Sequence, residues 1–169
     1  MKGRRFRSML TGPEAADLIR ELGITHVITV PDSTIGQWER DIERTGVRLI
    51  RVCREGEAWT IGGGLYLGGA SPLVLIQCTG LFESGDALRN TLHEWKLPLY
   101  AIIGYRSYLN QDNLPGDTSL VFTEPVLAAW RLDVLFVRDR QDVPRIADHY
   151  RECRAAGRAG VTLLAEGRS

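Results

Sequence analysis

The sequence predicts an α/β fold, with a doubly wound, mainly parallel six-stranded sheet and helices on both faces. Short apolar runs rich in β-branched residues alternate with longer amphipathic runs along the chain, which is typical of a parallel sheet covered on both sides. The length of 169 residues suits one hydrophobic core. Because the sequence contains no repeat, linker or low-complexity segment, we expect residues 1–169 to form a single domain.

The first third of the chain predicts two helices and two strands. Residues 11–14, Thr-Gly-Pro-Glu, have the pattern of a capping box with an early proline, and Gly23 ends the helix that they start. Residues 24–30 and 47–52 are apolar and β-branched, so both are predicted strands. Residues 35–44 between them have a helical period.

The middle of the chain continues the alternation. Residues 55–67 have a helical period despite their glycines, residues 73–77 are a predicted strand and residues 85–95 a predicted helix. Residues 99–103 form the next predicted strand. Residues 104–118 are rich in Asn, Asp, Pro and Gly, which predicts a loop long enough to suggest a function.

The last part of the chain predicts two further helices, at residues 125–130 and 143–156, and two strands, at residues 134–137 and 161–164. The amino-terminal segment carries four basic side chains, Lys2, Arg4, Arg5 and Arg7. We expect residues 1–10 to form a flexible basic tail, because short charge runs are usually solvated.

Composition excludes several classes of function. The formal net charge is zero, so no long-range field favours nucleic acid. We find neither a signal-peptide core nor an apolar run of about 18 residues, and therefore predict a cytoplasmic protein with no membrane partner. Cys53, Cys78 and Cys153 are odd in number and widely spaced, so they indicate neither zinc nor disulfides, and we expect no metal site on this chain.

Polar residues follow four predicted strands directly. They lie at residues 31–33, 53–55, 77–80 and 104–106, where the carboxyl ends of parallel strands reach the same edge of the sheet. We therefore expect these four segments to converge on one cleft. For Asp32 and Ser33 the alternative interpretation is an ordinary turn or helix cap.

The predicted helix at residues 55–67 begins with two acids, contains three consecutive glycines and is followed by two more. Each glycine weakens a helix by about 1 kcal/mol relative to alanine, so these positions require another explanation. The pattern matches neither a phosphate-binding loop nor a dinucleotide fingerprint. We predict close packing against a neighbour, within the chain or across a subunit interface, at the glycines Gly62, Gly63, Gly64, Gly68 and Gly69.

Nucleophilic chemistry has little support. Ser33 lacks the Gly-x-Ser-x-Gly elbow, and no histidine is favourably placed beside it. His93 follows the third polar segment and is the histidine nearest to the predicted cleft. A hydrolase or transferase that uses Ser33 or Cys78 stays open as an alternative.

Four segments together resemble the pyrimidine-binding domain of thiamine-diphosphate enzymes. The resemblance is greatest to the alpha subunits of sulfopyruvate decarboxylase and to the equivalent half of phosphonopyruvate decarboxylase, and it extends over residues 11–164. The matching segments are Val-Pro-Asp-Ser at 30–33, Arg-Glu-Gly-Glu-Ala at 54–58, the glycine-rich helix, and Ile-Gln-Cys-Thr-Gly-Leu at 76–81.

The resemblance implies thiamine diphosphate as cofactor and Glu55 as the catalytic acid. In such enzymes a glutamate at the start of this helix hydrogen-bonds the pyrimidine N1′. The spacing to the later helix segment selects Glu55, nine positions before Gly64, rather than Glu57. The resemblance also implies cofactor contacts at Pro31, Gln77, Thr79, Gly80 and Leu81, and substrate contacts at Asp32, Ser33, His93 and Arg106.

The resemblance further implies a partner chain. Relatives that act alone carry a Gly-Asp-Gly motif, followed later by Asn, that holds Mg²⁺ and the diphosphate. Here Asp86 and Asp117 follow glycines but precede none, and the last asparagine is Asn113. We therefore expect a beta subunit to bind diphosphate and Mg²⁺, with the active site between chains in an α₂β₂ or larger assembly.

Departures from the family pattern affect the substrate prediction. Close relatives have Gly-Asn after the third turn, where this chain has Phe82 and Glu83. We expect these residues to add bulk and negative charge near the cleft, which disfavours a strongly anionic sulfonate or phosphonate substrate. The prediction is a decarboxylase acting on a 2-oxo acid. A carboligase of the same family, or a non-catalytic binding or regulatory module, stays open.

Overall fold

Seven strands form one sheet in the computed structural model, which describes residues 6–113 and 116–168. Six strands are parallel, and the first pairs antiparallel with the last. The predicted doubly wound α/β class is confirmed. The strands are β1 (Phe6–Ser8), β2 (His26–Thr29), β3 (Arg48–Arg51), β4 (Pro72–Gln77), β5 (Tyr100–Tyr105), β6 (Asp133–Val137) and β7 (Gly160–Arg168).

The strand order creates a switch point beside β2. The order is β1-β7-β5-β4-β2-β3, and β6 pairs with β7 on the edge that β1 also uses. The chain passes from β2 outward to β3 and then returns to place β4 on the other side of β2. Open α/β sheets bind ligands at the carboxyl ends of the strands where such a reversal occurs.

Helices cover both faces of the sheet. They are α1 (Gly12–Glu21), α2 (Glu39–Glu43), α3 (Glu55–Leu67), α4 (Cys78–Glu83), α5 (Gly85–Leu88), α6 (Thr118–Ala129) and α7 (Arg145–Ala155). Shorter turns occupy Ile35–Trp38, Arg89–Glu94 and Tyr108–Asn113. No helix in residues 6–113 and 116–168 combines the length and the apolar character needed to cross a bilayer.

Alternate side chains of β4 contribute to two cores. Leu73 and Leu75 pack on the face covered by α1, α2 and α7, and Val74 and Ile76 pack on the face covered by α3 to α6. All four are buried. Burial on both sides explains why the central strands are continuous apolar runs rather than alternating ones.

Local sequence signals explain where α1 begins and ends. The Thr11 hydroxyl accepts a hydrogen bond from the Glu14 amide, and the Glu14 carboxylate accepts one from the Thr11 amide, so the predicted capping box is present. Gly23 follows the helix with φ of +64°, in the left-handed region that glycine adopts without strain.

The glycines of α3 differ in their surroundings. Gly62 and Gly63 are buried, and a Cβ at Gly63 would lie 3.1 Å from Leu97 Cδ1. Close packing is therefore confirmed at these two positions, and the neighbour belongs to the same chain. Gly64 is exposed, and no described atom lies within 4 Å of the place that a Cβ would occupy there, so a subunit interface at Gly64 stays a prediction.

Three predictions about local structure require correction. Residues 6–8 form β1 rather than part of a flexible tail, because their backbone pairs with residues 166–168 of β7, and residues 1–5 lie outside the described residues. The segment after β4, which corresponds to the third turn of the family pattern, is the helix α4. Helix α6 begins at Thr118, inside the predicted loop, where Asp117 caps its first turn through the Ser119 amide.

Candidate active site

A small polar cavity lies at the switch point, at the carboxyl ends of β2, β4, β5 and β7. Its volume is about 100 Å³. Three of the four segments that we expected to converge contribute to it, those after β2, β4 and β5. The lining residues are Asp32, Ser33, Thr34, Gln77, Arg106, Ser107, Glu166 and Gly167.

Asp32 is fixed in this cavity by the backbone that follows it. Its Oδ1 accepts hydrogen bonds from the Thr34 amide at 2.6 Å and from the Ile35 amide at 2.8 Å, which also caps the turn Ile35–Trp38. The cap interpretation is thus correct for Oδ1. Oδ2 is buried without a hydrogen-bond partner among the described residues. Burial raises the pKa of Asp32, and the two amide hydrogen bonds oppose that shift.

Glu166 is the most unusual residue of the cavity. It lies on β7, is 1% exposed, and neither of its carboxyl oxygens has a hydrogen-bond partner in the described part of the chain. Burial raises its pKa well above the ordinary value, and the charge of Asp32 adds to that effect. The nearby Thr34 hydroxyl opposes the shift only in part. A buried carboxyl group in this state favours its neutral form.

Arg106 and Ser107 bring a positive charge and a constrained backbone to the same cavity. Arg106 is exposed. Ser107 is buried and has φ of +65°, which is uncommon for a residue other than glycine. Two residues of the predicted loop therefore line the cavity, and a function for that loop stays a prediction.

Gln77 connects the cavity to α4. It ends β4, lines the cavity and accepts a hydrogen bond at 3.3 Å from the Thr79 hydroxyl. Thr79 is exposed, whereas Gly80 and Leu81 are buried. Of the predicted cofactor contacts after β4, Gln77 and Thr79 present polar groups, whereas the Leu81 side chain is fully buried in the core. Pro31, predicted as a contact from β2, is exposed beside Asp32.

Glu55 and Gly80 lie against each other at the start of α3. Glu55 is the first residue of that helix and is half-buried. A Cβ at Gly80 would overlap the Glu55 carboxyl group. No hydrogen bond joins that carboxyl group to another described residue. The glycine therefore makes room for an acid that the rest of the described chain does not use.

The two acids nearest to Glu55 have structural roles instead. The Glu57 carboxylate accepts hydrogen bonds from the amides of Cys53 and Arg54, at 3.1 Å and 3.3 Å, and so caps the start of α3. Glu83 accepts one from the Gly56 amide at 2.7 Å and pairs with Arg54 at 2.6 Å. The Gly56 hydrogen bond, with the Arg54 pair, lowers the pKa of Glu83. The negative charge that we expected from Glu83 is therefore present and paired with the Arg54 guanidinium.

The proposed nucleophiles lack a partner that would activate them. Cys78 is fully buried, and burial raises the pKa of its thiol. Ser33 lines the cavity, but no histidine is among the lining residues. Within the described residues, the arrangement does not support the hydrolase or transferase alternative.

His93 is not brought to this cavity. It lies in the π-helical turn Arg89–Glu94, which leads away from the carboxyl edge, and its ring stacks on Trp130 with centroids 6.0 Å apart. A separate cavity near the amino ends of β6 and β7 includes His93. Our placement of His93 near the substrate is therefore wrong, because it assumed that the helix after α4 stays at the carboxyl edge.

Asp133, His149 and Cys153 come together at the amino end of the sheet. His149 Nε2 lies 3.3 Å from Asp133 Oδ1 and 3.6 Å from Cys153 Sγ. The other ring nitrogen lies 2.6 Å from the Tyr100 hydroxyl, and Arg158 pairs with Asp133 at 2.6 Å. These contacts form a hydrogen-bonded network at the opposite end of the sheet from the cavity.

Sequence reasoning missed Glu166. The predicted strand ended at residue 164, because an acid after an apolar run usually marks the end of a strand. In the structure β1 pairs with residues 166–168 and extends β7 past that point. An acid directly after an apolar run was the available signal, since the same signal had selected Asp32 and Glu55.

Two curated proteins are similar to part of this chain. The chain is 31% identical over 105 residues to phosphonopyruvate decarboxylase of Streptomyces viridochromogenes, across 60% of this chain and 26% of that protein. It is 30% identical over 95 residues to phosphonopyruvate decarboxylase of Streptomyces hygroscopicus, across 56% of this chain and 24% of that protein. The chain resembles phosphonopyruvate decarboxylases.

This similarity confirms the resemblance that the sequence motifs predicted. The aligned segments span about a quarter of the length of each phosphonopyruvate decarboxylase. No protein-family model matches the chain.

Proposed function

We propose that this chain is the alpha subunit of a thiamine-diphosphate-dependent 2-oxo acid decarboxylase in which Glu55 activates the cofactor. The proposal rests on the position and hydrogen bonding of the Glu55 carboxyl group. Its carboxyl group lies over Gly80, at the carboxyl end of the sheet, and makes no hydrogen bond to another described residue. Glu57 and Glu83, which lie beside it, are both occupied in capping α3.

The residues around Glu55 fit an aminopyrimidine ring. A carboxyl group without a partner can exchange a proton with a ring nitrogen, and the half-buried position strengthens that hydrogen bond. Gln77 and Thr79 offer polar groups at the adjoining start of α4. When bound, thiamine diphosphate supplies a nucleophilic carbon and accepts the electron pair that remains after loss of CO₂.

The adjoining cavity suits the substrate. Asp32, Ser33 and Arg106 line it, and the Arg106 guanidinium can pair with the carboxylate of a 2-oxo acid. The Glu83 carboxylate contacts the Arg54 guanidinium and the Gly56 amide, so its charge argues less strongly against an anionic substrate. Because both relatives are phosphonopyruvate decarboxylases, phosphonopyruvate is the first substrate to test.

The proposal assigns diphosphate and Mg²⁺ binding to a beta subunit, in an α₂β₂ or larger assembly. The 169-residue sequence contains no Gly-Asp-Gly motif for that task. Helices α4 and α6 pack together beside the site and expose three apolar side chains, Phe82 (37% exposed), Val121 (54%) and Phe122 (52%). Exposed aromatic residues near a site are typical of interface anchors.

Co-expression with a chain that carries the Gly-Asp-Gly and Asn motif tests the proposal. We expect CO₂ release from phosphonopyruvate, sulfopyruvate or pyruvate when thiamine diphosphate and Mg²⁺ are present. Glu55→Gln should lower turnover by about 100-fold or more, the usual effect of losing an acid–base group. The unfolding free energy should change little, because the Glu55 carboxyl group makes no hydrogen bond in the described chain.

Glu57→Gln is the matched control. It changes an acid on the same helical turn, and its remaining carbonyl oxygen can still accept the capping hydrogen bonds. We expect its turnover to stay within about threefold of wild type, far less than the change expected for an acid–base group. Full activity of Glu55→Gln would overturn the proposal. Formation of a new C–C bond instead of an aldehyde would indicate a carboligase, and cofactor binding without turnover would indicate a binding module.

A further inference from the structure

Three side chains with unpartnered, buried oxygens cluster around the carboxyl end of β7. Among residues 6–113 and 116–168, these oxygens include Ser8 Oγ, Asp32 Oδ2 and both carboxyl oxygens of Glu166. Ser8 stands opposite Glu166 in the antiparallel β1–β7 pairing, so their side chains share one face of the sheet. Buried polar atoms without partners are rare in proteins and often mark sites of function.

The backbone is shaped to hold the Glu166 side chain in the cavity. A Cβ at Gly104, on the neighbouring strand β5, would overlap the Glu166 carboxyl group. The side chain therefore passes over Gly104 toward the segment after β2, and it lines the cavity together with Asp32. The chain gives up a side chain at residue 104, and the Glu166 carboxyl group has no hydrogen-bond partner among the described residues, so fold stability does not explain this position.

The charges around Glu166 do not balance two ionised carboxyl groups. Asp32 faces it from the β2 side, and Arg106 faces it from β5 on an exposed side chain. The charge of Glu39, in α2, also raises the pKa of Asp32, and Glu39 is itself paired with Arg51. Two buried carboxylates that share a cavity of about 100 Å³ repel each other, so such a pair retains a proton.

We propose that Glu166 is a catalytic acid, which holds a proton shared with Asp32 and donates it to the substrate carbon that has lost CO₂. This inference rests on the proposed decarboxylase function and adds a residue to it. The bond between the carboxylate and the adjacent carbon breaks, and the electron pair left on that carbon takes the proton from the Glu166 carboxyl group. A C–H bond forms, the carboxyl pair becomes doubly anionic, and it recovers its proton from solvent.

Proton retention can be tested without catalysis. We compare urea unfolding of the full chain with that of Glu166→Gln from pH 5 to pH 8. A carboxyl group with a raised pKa binds its proton more tightly when folded, so wild type loses stability as the pH rises from about 4.5 through the folded pKa. Gln keeps the shape of the neutral acid. As the pH rises, the unfolding equilibrium constant of wild type should therefore increase relative to that of Glu166→Gln, by up to tenfold per pH unit.

Two further variants make that measurement specific. Asp32→Asn should reduce the pH dependence, because it removes the charge that repels an ionised Glu166. Glu152→Gln changes an exposed acid on α7 and should follow wild type at every pH. If Glu166→Gln also follows wild type at every pH, Glu166 retains no proton and the inference is wrong.

An oxidant separates proton donation from the earlier steps. Ferricyanide removes the electron pair from the carbon that has lost CO₂, so CO₂ release then requires no proton from Glu166. In the assembled enzyme, Glu166→Gln should lose about 100-fold in CO₂ release without ferricyanide and less than about threefold with it. An equal loss of CO₂ release in both assays would show that Glu166 is a positioning residue and not the proton donor. A wild-type assembly that releases no CO₂ in either assay would instead overturn the proposed function.

Discussion

The carboxyl group of Glu55 occupies the space that a side chain at Gly80 would require. Glu55 starts α3 after the strand β3, whereas Gly80 lies in α4 after β4, so the contact joins two neighbouring segments at the carboxyl edge of the sheet. Helix positions favour alanine over glycine by about 1 kcal/mol. The presence of glycine at residue 80 therefore indicates that the position of the Glu55 carboxyl group, rather than helix stability, determines this residue.

Gly80→Ala should separate stability from activity. The added methyl group displaces the Glu55 carboxyl group, so we expect turnover of the assembled enzyme to fall by about 100-fold, as for loss of an acid–base group. Better helix propensity offsets part of the strain, and the chain should remain folded. Turnover and thermal unfolding are measured on the same preparation.

Gly85→Ala is the matched control for that variant. Residue 85 starts the short helix α5, and a Cβ placed there would meet no described atom within 4 Å outside its own stretch of helix. Turnover should be unchanged. If both alanine variants keep full activity, the contact between Glu55 and Gly80 has no role in catalysis.

Glu83 should contribute to stability through the start of α3. Glu83→Gln replaces a carboxylate that accepts from the Gly56 amide and pairs with Arg54, and an acid at a helix start stabilises by about 0.5–1 kcal/mol. Urea unfolding at pH 7 measures this loss. Because the pKa of Glu83 is lowered, the contribution is present above the ordinary carboxyl pKa and disappears as the pH falls through the folded pKa.

Arg54→Met tests which partner of Glu83 matters more. Arg54 is 71% exposed, so its ion pair with Glu83 is screened by solvent and contributes little. We expect a smaller loss of stability than for Glu83→Gln. A larger loss would show that the ion pair, and not the helix cap, holds Glu83 in place.

Glu14 should make α1 sensitive to acid. The hydrogen bond from Arg140, together with that from the Thr11 amide, lowers the pKa of Glu14 to about 2. The stability it adds is therefore complete above pH 4.5 and is lost as the pH falls through about 2. Glu14→Gln should destabilise the chain by about 1 kcal/mol or less at pH 7, since the pair is partly exposed. In urea unfolding, this difference from wild type should shrink between pH 4 and pH 2, and a constant difference would contradict the assignment.

The sequence was most informative where local signals decide the structure. The capping box at residues 11–14 and the apolar runs of the central strands are local, and the structure contains both. Helix α4 could not be predicted, because Gly80 disfavours a helix and the contact that requires glycine comes from Glu55, which is distant in sequence. Glu166 was missed for a similar reason, since its strand continues only because β1 pairs with it.

The site shows the same division between local and long-range information. The acids at residues 32 and 55 follow apolar runs, so their place at the carboxyl edge could be predicted. The different surroundings of the Glu55 and Glu57 carboxyl groups depend on hydrogen bonds across the start of α3, which only the structure describes. His93 was misplaced because the direction of the segment Arg89–Glu94 follows from its packing on Trp130.

Polar substitutions on the apolar surface of α6 should weaken binding of the partner chain. The double variant Val121→Ser, Phe122→Ser removes two side chains that are more than half exposed beside the proposed site. Loss of an interface anchor costs about 2 kcal/mol, so we expect at least tenfold weaker association with the beta subunit, measured by titration of one chain into the other. Thermal unfolding of the isolated chain should change little, because both positions are exposed. Leu67→Ser changes an equally exposed residue at the far end of α3 and should leave association unchanged. If the double variant associates as tightly as Leu67→Ser does, this surface of α6 lies outside the subunit interface and the beta subunit must approach the site from another side.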